Sequence, residues 1–392
     1  MTAPRKICAV TGSRADYGLL LWVLRGIIAA PQFQLQLAVT GMHLASQYGN
    51  TWQVIEADGF VIDAKVDIEL AGDAPKDIAK SIGLGVTGFG EAFERLAPDL
   101  LLILGDRYEI LAAAQAAVIA NIPIAHIAGG DATEGAVDEV IRHSLTKMAH
   151  LHFTTSEPAR RRVIQMGEAP ARVFNTGSPG LDTLLRTPLL GRVELEQSLG
   201  ITLLARNFLI TFHPATLDGE GAAAAQFDAL LAALEQYADG RTRFIFTRPN
   251  SDAGSAAITA RLDAWLAGRT DAVAYASLGQ LRYLSLIAQI DAVIGNSSSG
   301  LYEAPSLHKP TVNIGSRQQG RAAAASVITC APDAGAISAA IGQALALDCS
   351  KVLNPYGDGH AAERIVAHLR DMPDFHALLH KQFHELPAWE TQ

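Results

Sequence analysis

The chain has 392 residues, 49% hydrophobic and 18% charged, with a formal net charge of −9; that length suggests two domains at ~100–200 residues each. The acidic balance excludes a general nucleic-acid binder, which would carry a basic surface, yet leaves room for an anionic small ligand held by helix N-termini and a few Arg side chains. The cysteines Cys8, Cys330 and Cys349 are far apart and follow neither metal nor disulfide spacing, so a reducing cytoplasm is expected, with no metal and no cofactor.

In chain order, short β-branched runs alternate with helical stretches. Lys6–Thr11 reads as a strand, Tyr17–Ala29 as a helix, Gln34–Val39 as a strand, and Leu100–Leu104 as a near-continuous apolar strand. A helix over about Tyr108–Ala120, a strand over Ile122–Ile127, a helix over Asp138–Met148 and short strands at Leu151–Thr154 and Val173–Thr176 complete a first set. The second set has strands at Phe208–Phe212, Phe244–Thr247, Ala292–Ile294, Thr311–Ile314 and Val327–Thr329, with a helix from Ser299 and another over about Ala336–Leu347. This alternation predicts βαβ units and parallel sheets. The expected domains are 1–180, Rossmann-like; 181–360, Rossmann-like and nucleotide-binding; and a C-terminal helix, 361–392, that can cross back onto the first. The hinge is placed in the Gly-, Pro- and Leu-rich stretch Ser178–Ile201. Two such halves suggest a cleft, with ligands at the C-terminal ends of the strands. No stretch reaches ~20 uninterrupted apolar residues and the N-terminus has no signal-peptide pattern, so no membrane partner is expected.

Seven strand-end constellations carry candidate chemistry. TGSRADYG after the first strand lets Gly12 turn tightly and puts Arg14 at the strand end; a helix cap with a solvated Arg is the plainer reading. Gly105-Asp106-Arg107 sets a carboxylate and a guanidinium at the end of a buried strand, where a tuned carboxylate serves as a general base; a salt-bridged loop pair is the alternative. The stretch from His126 through Gly129-Gly130-Asp131 to Glu134, Asp138, Glu139, Arg142 and His143 gathers four carboxylates, two His and an Arg, with helix capping open for Asp138. Phe212-His213-Pro214 brings a His to a strand end of the second set, although a lone His is often structural. Arg248 to Gly254, with Asn250, makes a loop. Gly295-Asn296-Ser297-Ser298-Ser299-Gly300 opens a helix with free N–H groups and hydroxyls, a diphosphate site in form, and Glu303 one turn on can accept both ribose hydroxyls. Gly315 to Arg321 adds Arg317 and Arg321. Gly83 and Gly85 follow no clear strand and make no dinucleotide fingerprint.

Taken together, TGSRADYG, VTGMHL, YGNT, GDRYE, IRHSLTKMAHLH, RVIQMGE, FHPATL, GNSSSGLYEAPSL and NIGSRQQGR resemble, in family order from residue 10 to about 321, the hydrolysing UDP-N-acetylglucosamine 2-epimerases of sialic-acid and capsule biosynthesis. The resemblance implies an α/β, glycosyltransferase-B-like fold of two Rossmann-like domains with a cleft, a UDP-sugar substrate, and a homodimer or homotetramer. It implies elimination of UDP across C1–C2 and water addition with inversion at C2. Asp106 then matches a catalytic Asp and Arg107 its neighbour, His213 a cleft His, Ser297 and Ser298 diphosphate contacts, and Glu303 the ribose ligand. Arg317 matches a cleft Arg, Arg14 a phosphate-side Arg, His43 a sugar-side His, and Asp138 an Asp tied to catalysis. One position departs: many members read IEGGE where this chain reads IAGGD, with Ala128 in place of a catalytic Glu. Asp131 or Glu134 then supplies the carboxylate, or the chemistry relies on Asp106 and Asp138. The same reaction on a UDP-2,4-diacetamido-trideoxy sugar, a non-hydrolysing epimerase (which TGSRADYG and IRHS fit less well), a glycosyltransferase on the same fold, and a silent nucleotide-sugar sensor are the alternatives.

Overall fold

The computed structural model describes residues 3–72, 74–132, 137–214, 222–249 and 255–386. They divide into two compact units, residues 1–185 with 356–392, and residues 186–355. The first holds a seven-stranded sheet: β1 (Arg5–Thr11), β2 (Phe33–Thr40), β3 (Ala64–Val66), β4 (Leu100–Leu104), β5 (Ile124–Ile127), β6 (Leu151–Thr154) and β7 (Val173–Asn175). Their order is β3-β2-β1-β4-β5-β6-β7, and every pairing is parallel. Apolar β4, LLLIL, is buried at every residue because helices cover both faces. The order reverses direction at β1 and β4, so the loops after these strands open side by side, where ligands of open α/β sheets bind.

The second unit holds β8 (Arg206–Thr211), β9 (Thr242–Thr247), β10 (Ala272–Tyr275), β11 (Ala292–Gly295), β12 (Thr311–Ile314) and β13 (Val327–Cys330). Their order, β10-β9-β8-β11-β12-β13, is again all parallel. Here the reversal falls between β8 and β11. Each sheet is sandwiched between two apolar clusters. The fold is therefore two Rossmann-like units of glycosyltransferase-B type.

Four elements in particular differ from the sequence reading. The strands β3 and β10 are too short and too weakly β-branched, AKV and AVAY, to stand out. Helix Pro75–Leu96 contains Gly83, Gly85, Gly88 and Gly90, which mask its helical pattern. Gly85 is there for contact: a Cβ on it would lie 2.8 Å from the Cβ of Ala112 on the Ala-rich helix Tyr108–Ile119. The helix at Ser299 is a single turn, Ser299–Tyr302, followed by a 3-10 turn Ala304–Leu307 with Pro305 near its start.

The chain returns to the first unit at Tyr356. Helix Ala361–Asp371 packs on helix Arg14–Ala29, burying Ile365, Val366 and Leu369 in the same cluster as Ile27 and Phe33. Burial of this kind is worth ~1.5–3 kcal/mol per large aliphatic side chain. Buried Asp182 caps the returning helix, accepting the N–H groups of Ala361 and Ala362 at 3.0 Å each.

Candidate functional site

In the first unit the candidate residues meet at the C-terminal ends of β1, β2, β4 and β5. Asp106, just past β4, accepts from Nε of Arg142 at 2.9 Å and again from its Nη2. Arg142 is buried, and its Nη1 donates to the Asp131 carbonyl at 2.7 Å. The Asp131 carboxylate is within 3.0 and 3.1 Å of the Thr155 hydroxyl. Asp138 lies on the same helix as Arg142, Val137–Met148; burial first, and the Asp106 charge second, push its carboxyl up. His143 pairs with Glu139 at 3.7 Å, and burial lowers its ring below the usual value. Glu134 lies outside the described residues.

Arg107 immediately precedes the helix Tyr108–Ile119, makes no side-chain cap, and donates from Nε to Glu109 at 2.5 Å, with Asp16 at 3.9 Å. Burial pushes the Asp16 carboxyl up to about 6. His43, fully buried after β2, is held by Thr11 and Thr51 hydroxyls at 3.0 and 2.8 Å, and burial lowers it to about 4, so its ring is neutral near pH 7. Arg14 is exposed at the first position of its helix, whose cap Ser13 accepts from the Asp16 N–H at 3.3 Å. Ala128, the position of the IAGGD departure, has a left-handed backbone at φ 65°. An Ala there carries strain of the kind that collects at functional sites.

In the second unit His213 is buried at the end of β8. Its N–H donates to Asn296 Oδ1 at 2.7 Å and its carbonyl accepts from Asn296 Nδ2 at 2.8 Å. Asn296 thus ties the loop after β8 to the loop after β11. Gly295 makes this closeness possible: at φ 135°, a Cβ would stand 1.9 Å from the Thr211 carbonyl oxygen. Ser297 and Ser298 follow; among the described residues no hydrogen bond runs from their N–H groups. The N–H groups of Gly300, Leu301 and Glu303 are instead turned inward onto Ser297, Ser298 and Ser299 carbonyls. An anion there is therefore met by two N–H groups and by hydroxyls rather than by a long helix dipole, which corrects the expectation of a full helix opening. Gly300 packs tightly against Thr311, and the Ser299 hydroxyl accepts from Tyr283 at 2.8 Å.

The Glu303 carboxyl has its Oε2 buried with no partner among the described residues, and burial pushes it up to about 7 against the opposing Ser299 hydroxyl. Arg317 donates to the Asn296 carbonyl at 3.1 Å, and Arg321 to Gln318 Oε1 at 2.9 Å, 5.9 Å above the Tyr302 ring. Beside them a cavity of about 640 Å³ opens at the ends of β12 and β13, lined by Asn313, Gln318, Arg321, Thr329 and Cys330 among others. Asn250 lies outside the described residues. Among the described residues, no group of three or more His, Cys, Asp or Glu side chains can hold a metal ion, and no helix is long and apolar enough to cross a membrane.

Three residues escape the sequence reading. Glu109 hides in GDRYE as an ordinary first-turn acid. Asn296 is overshadowed by the hydroxyls beside it, although an amide directly after a strand-end Gly is a signal for loop tying. Asn313 looks like a strand residue, yet it is buried with an unpartnered Oδ1.

Two Rossmann-like units with polar loops crowded at their strand reversals define an enzyme of the glycosyltransferase-B structural class. Residues 25–370 match the family model of UDP-N-acetylglucosamine 2-epimerase, and the chain belongs to that family. It is 39% identical to polysialic acid biosynthesis protein P7 of Escherichia coli over 99% of both chains. It is 36% identical to a hydrolysing UDP-N,N'-diacetylbacillosamine 2-epimerase of Legionella pneumophila, covering 96% of this chain and 98% of that one. Its fold is similar to the crystal structure of UDP-GlcNAc 2-epimerase from Neisseria meningitidis bound to UDP-GlcNAc, with a TM-score of 0.73 and 19% identity over 94% of this chain and all of that one.

Proposed function

We propose that the chain is a hydrolysing 2-epimerase that takes UDP-N-acetylglucosamine and water to N-acetylmannosamine and UDP, in the service of sialic-acid-type sugar synthesis. The observation that carries the reading is the group of Asp106, Asp131 and Asp138 around buried Arg142 at the end of β4 and β5, in a chain of this family. A base removes the C2 proton while the C1–O bond to UDP breaks, giving a 1,2-unsaturated sugar. Water then adds its oxygen to C1, and a proton returns to C2 on the opposite face.

Asp106, oriented by Arg142, is assigned the proton chemistry, with Asp138, its carboxyl pushed up by burial and by the Asp106 charge, as the second carboxyl beside it. Asp131 holds Arg142 through its carbonyl and takes part through its carboxylate. Glu134 is kept as the other carboxylate of this loop. Arg107 and Arg14 meet the diphosphate, where leaving-group charge develops; His43 and His143 serve the sugar. In the second unit His213 is assigned an acid role. The N–H and hydroxyl groups of Ser297, Ser298 and Ser299, with Gly300 allowing the close turn, hold the phosphates. Glu303 takes the ribose hydroxyls, and Arg317, Arg321 and Asn250 complete the anion site. The expected assembly is a cytoplasmic homodimer or homotetramer without cofactor.

The Legionella relative favours a second reading, the same reaction on UDP-N,N'-diacetylbacillosamine, a 2,4-diacetamido-trideoxy sugar. Incubation with each UDP-sugar alone tests both. Free UDP, together with the 2-epimerised sugar carrying solvent deuterium at C2, supports the reaction, and the larger kcat/KM assigns the sugar. Turnover that needs an added acceptor would point to sugar transfer instead.

A further inference from the structure

We propose that Glu109 is a positioning residue of this reaction, fixing the Arg107 guanidinium from below in a space that Gly12 leaves open. The inference rests on the reading above that Arg107 meets the sugar diphosphate.

A carboxylate in the first turn of a helix ordinarily sits in water, where it complements the helix dipole. Glu109 sits in the first turn of Tyr108–Ile119 yet is 1% exposed. Its Oε1 accepts from Arg107 Nε at 2.5 Å, while its Oε2 is buried without a hydrogen-bond partner among the described residues. Burying a carboxylate that is only half satisfied costs stability, and capping the helix does not require it.

The neighbouring loops are shaped around this side chain. A Cβ on Gly12, at the end of β1, would lie 2.5 Å from both Cγ and Oε1 of Glu109. A Cβ on Gly41, at the end of β2 and at φ 56°, would lie 3.4 Å from Oε1. Three strand ends thus converge on one carboxylate. With its Nε edge fixed by Glu109, Arg107 has a competing carboxylate, Asp16, at 3.9 Å and the Met42 sulfur 3.7 Å from Nη2. Its side chain remains 35% exposed, leaving part of the guanidinium open to an anion. Without Glu109 the guanidinium is free to swing onto Asp16, away from the position in which it meets the diphosphate.

The test compares E109A, E109Q, R107A and the E109A/R107A double variant, with UDP binding and thermal melting as controls. E109A is expected to lower kcat about 10–100-fold, as misplacement of a catalytic group by ~1 Å does, with KM changed about threefold or less. E109Q keeps an acceptor oxygen and the shape, and is expected to recover kcat to within about fivefold of the parent. The double variant should be no slower than R107A, because both changes remove one interaction. Wild-type kcat in folded E109A, or a double-variant loss equal to the product of the single losses, would overturn the proposal. If E109A fails to fold, G12A carries the test: it displaces Glu109 and must reproduce a kcat loss, and unchanged kcat in folded G12A sinks the idea. The NMR resonance of Arg107 Nε–H, identified by its loss in R107K, is an arm that needs no turnover. It should be shifted downfield and slow to exchange in the parent and lost in E109A; an unchanged resonance in E109A refutes the contact. A parent enzyme that releases no UDP from either sugar strikes the functional reading and leaves that arm standing.

Discussion

At the strand ends of the first sheet, acids are already matched with guanidinium groups: Asp106 with Arg142, and Glu109, through one of its two oxygens, with Arg107. At the strand ends of the second, the polar groups are mostly neutral, and two of them, Glu303 Oε2 and Asn313 Oδ1, are buried without partners among the described residues. The first arrangement holds side chains in fixed geometry before any substrate arrives, as proton transfer needs. The second leaves hydrogen-bonding capacity for a ligand to fill, at a cost in folding free energy. On the proposed reading the contrast sets the carboxylates of the proton chemistry against the groups that capture the nucleotide, with His213 as the one chemical group on the second side, and substitutions on the two sides should fail in different ways.

Removing Arg142 should have the largest effect. R142A leaves Asp106 without its partner and the Asp131 carbonyl without its donor, so turnover should fall about 10²–10⁴-fold and stability by about 3–5 kcal/mol. UDP release assays and urea melts read the two losses; UDP binding by the second unit should survive. Turnover within tenfold of the parent would remove the Asp106–Arg142 pair from the chemistry.

E303Q should act the other way, on capture. Loss of a charged acceptor is expected to weaken UDP binding about 10–100-fold, with stability held or raised. The sign follows from its carboxyl lying at about 7 when folded, against an ordinary 4.5. Between those values the folded state holds the extra proton, so this group's contribution to stability falls as pH rises from about 4.5 to 7. Calorimetry in two buffers of different ionisation enthalpy should show UDP binding releasing more protons near pH 7 from the parent than from E303Q. Equal proton release would end the ribose assignment.

D131N should cost about tenfold in turnover, less than R142A, because the Asp131 carbonyl that holds Arg142 is kept and only the carboxylate changes. Full turnover with normal UDP release would exclude that carboxylate from the reaction.

The smallest effect is on acid stability. His43 is depressed to about 4 when folded and near 6.5 when unfolded. Between those values the unfolded state binds the extra proton, so His43 contributes less to stability as pH falls from 6.5 towards 4. The stability gap between the parent and H43Q should therefore shrink between pH 7 and pH 5, measured by urea midpoints. A gap that widens on acidification would mean that the ring is charged in the fold.

Much of the fold is legible because parallel strands covered on both faces leave apolar runs such as LLLIL. The edge strands Ala64–Val66 and Ala272–Tyr275 are not, since partial exposure relaxes the pattern. Helix Pro75–Leu96 is hidden by its four glycines, of which Gly85 serves helix packing, a constraint set by Ala112 at a distant place in the sequence. In the candidate site, the charged motifs stand out individually, but their partnerships do not. Arg142 lies 36 residues from Asp106, and Asn296 lies 83 from His213. Spacing along the chain carries no information about such pairings, which depend on which strands become neighbours. Glu109 is illegible for a related reason: its meaning lies in the room left by Gly12, which comes from another strand.

The return of the chain at Tyr356 has a practical consequence for anyone dissecting the molecule. A gene fragment ending near Leu185 would encode the whole seven-stranded sheet but omit helix Ala361–Asp371. It would expose Ile27 and Phe33 and leave Asp182 with no helix to cap. Such a fragment should aggregate on expression, whereas one that fuses residues 356–386 back onto it by a short Gly/Ser linker should stay in solution. The unit that holds Asp106, Asp131 and Asp138 is thus encoded in two separate pieces of the gene, and a clean cut between the two units requires two breaks in the chain.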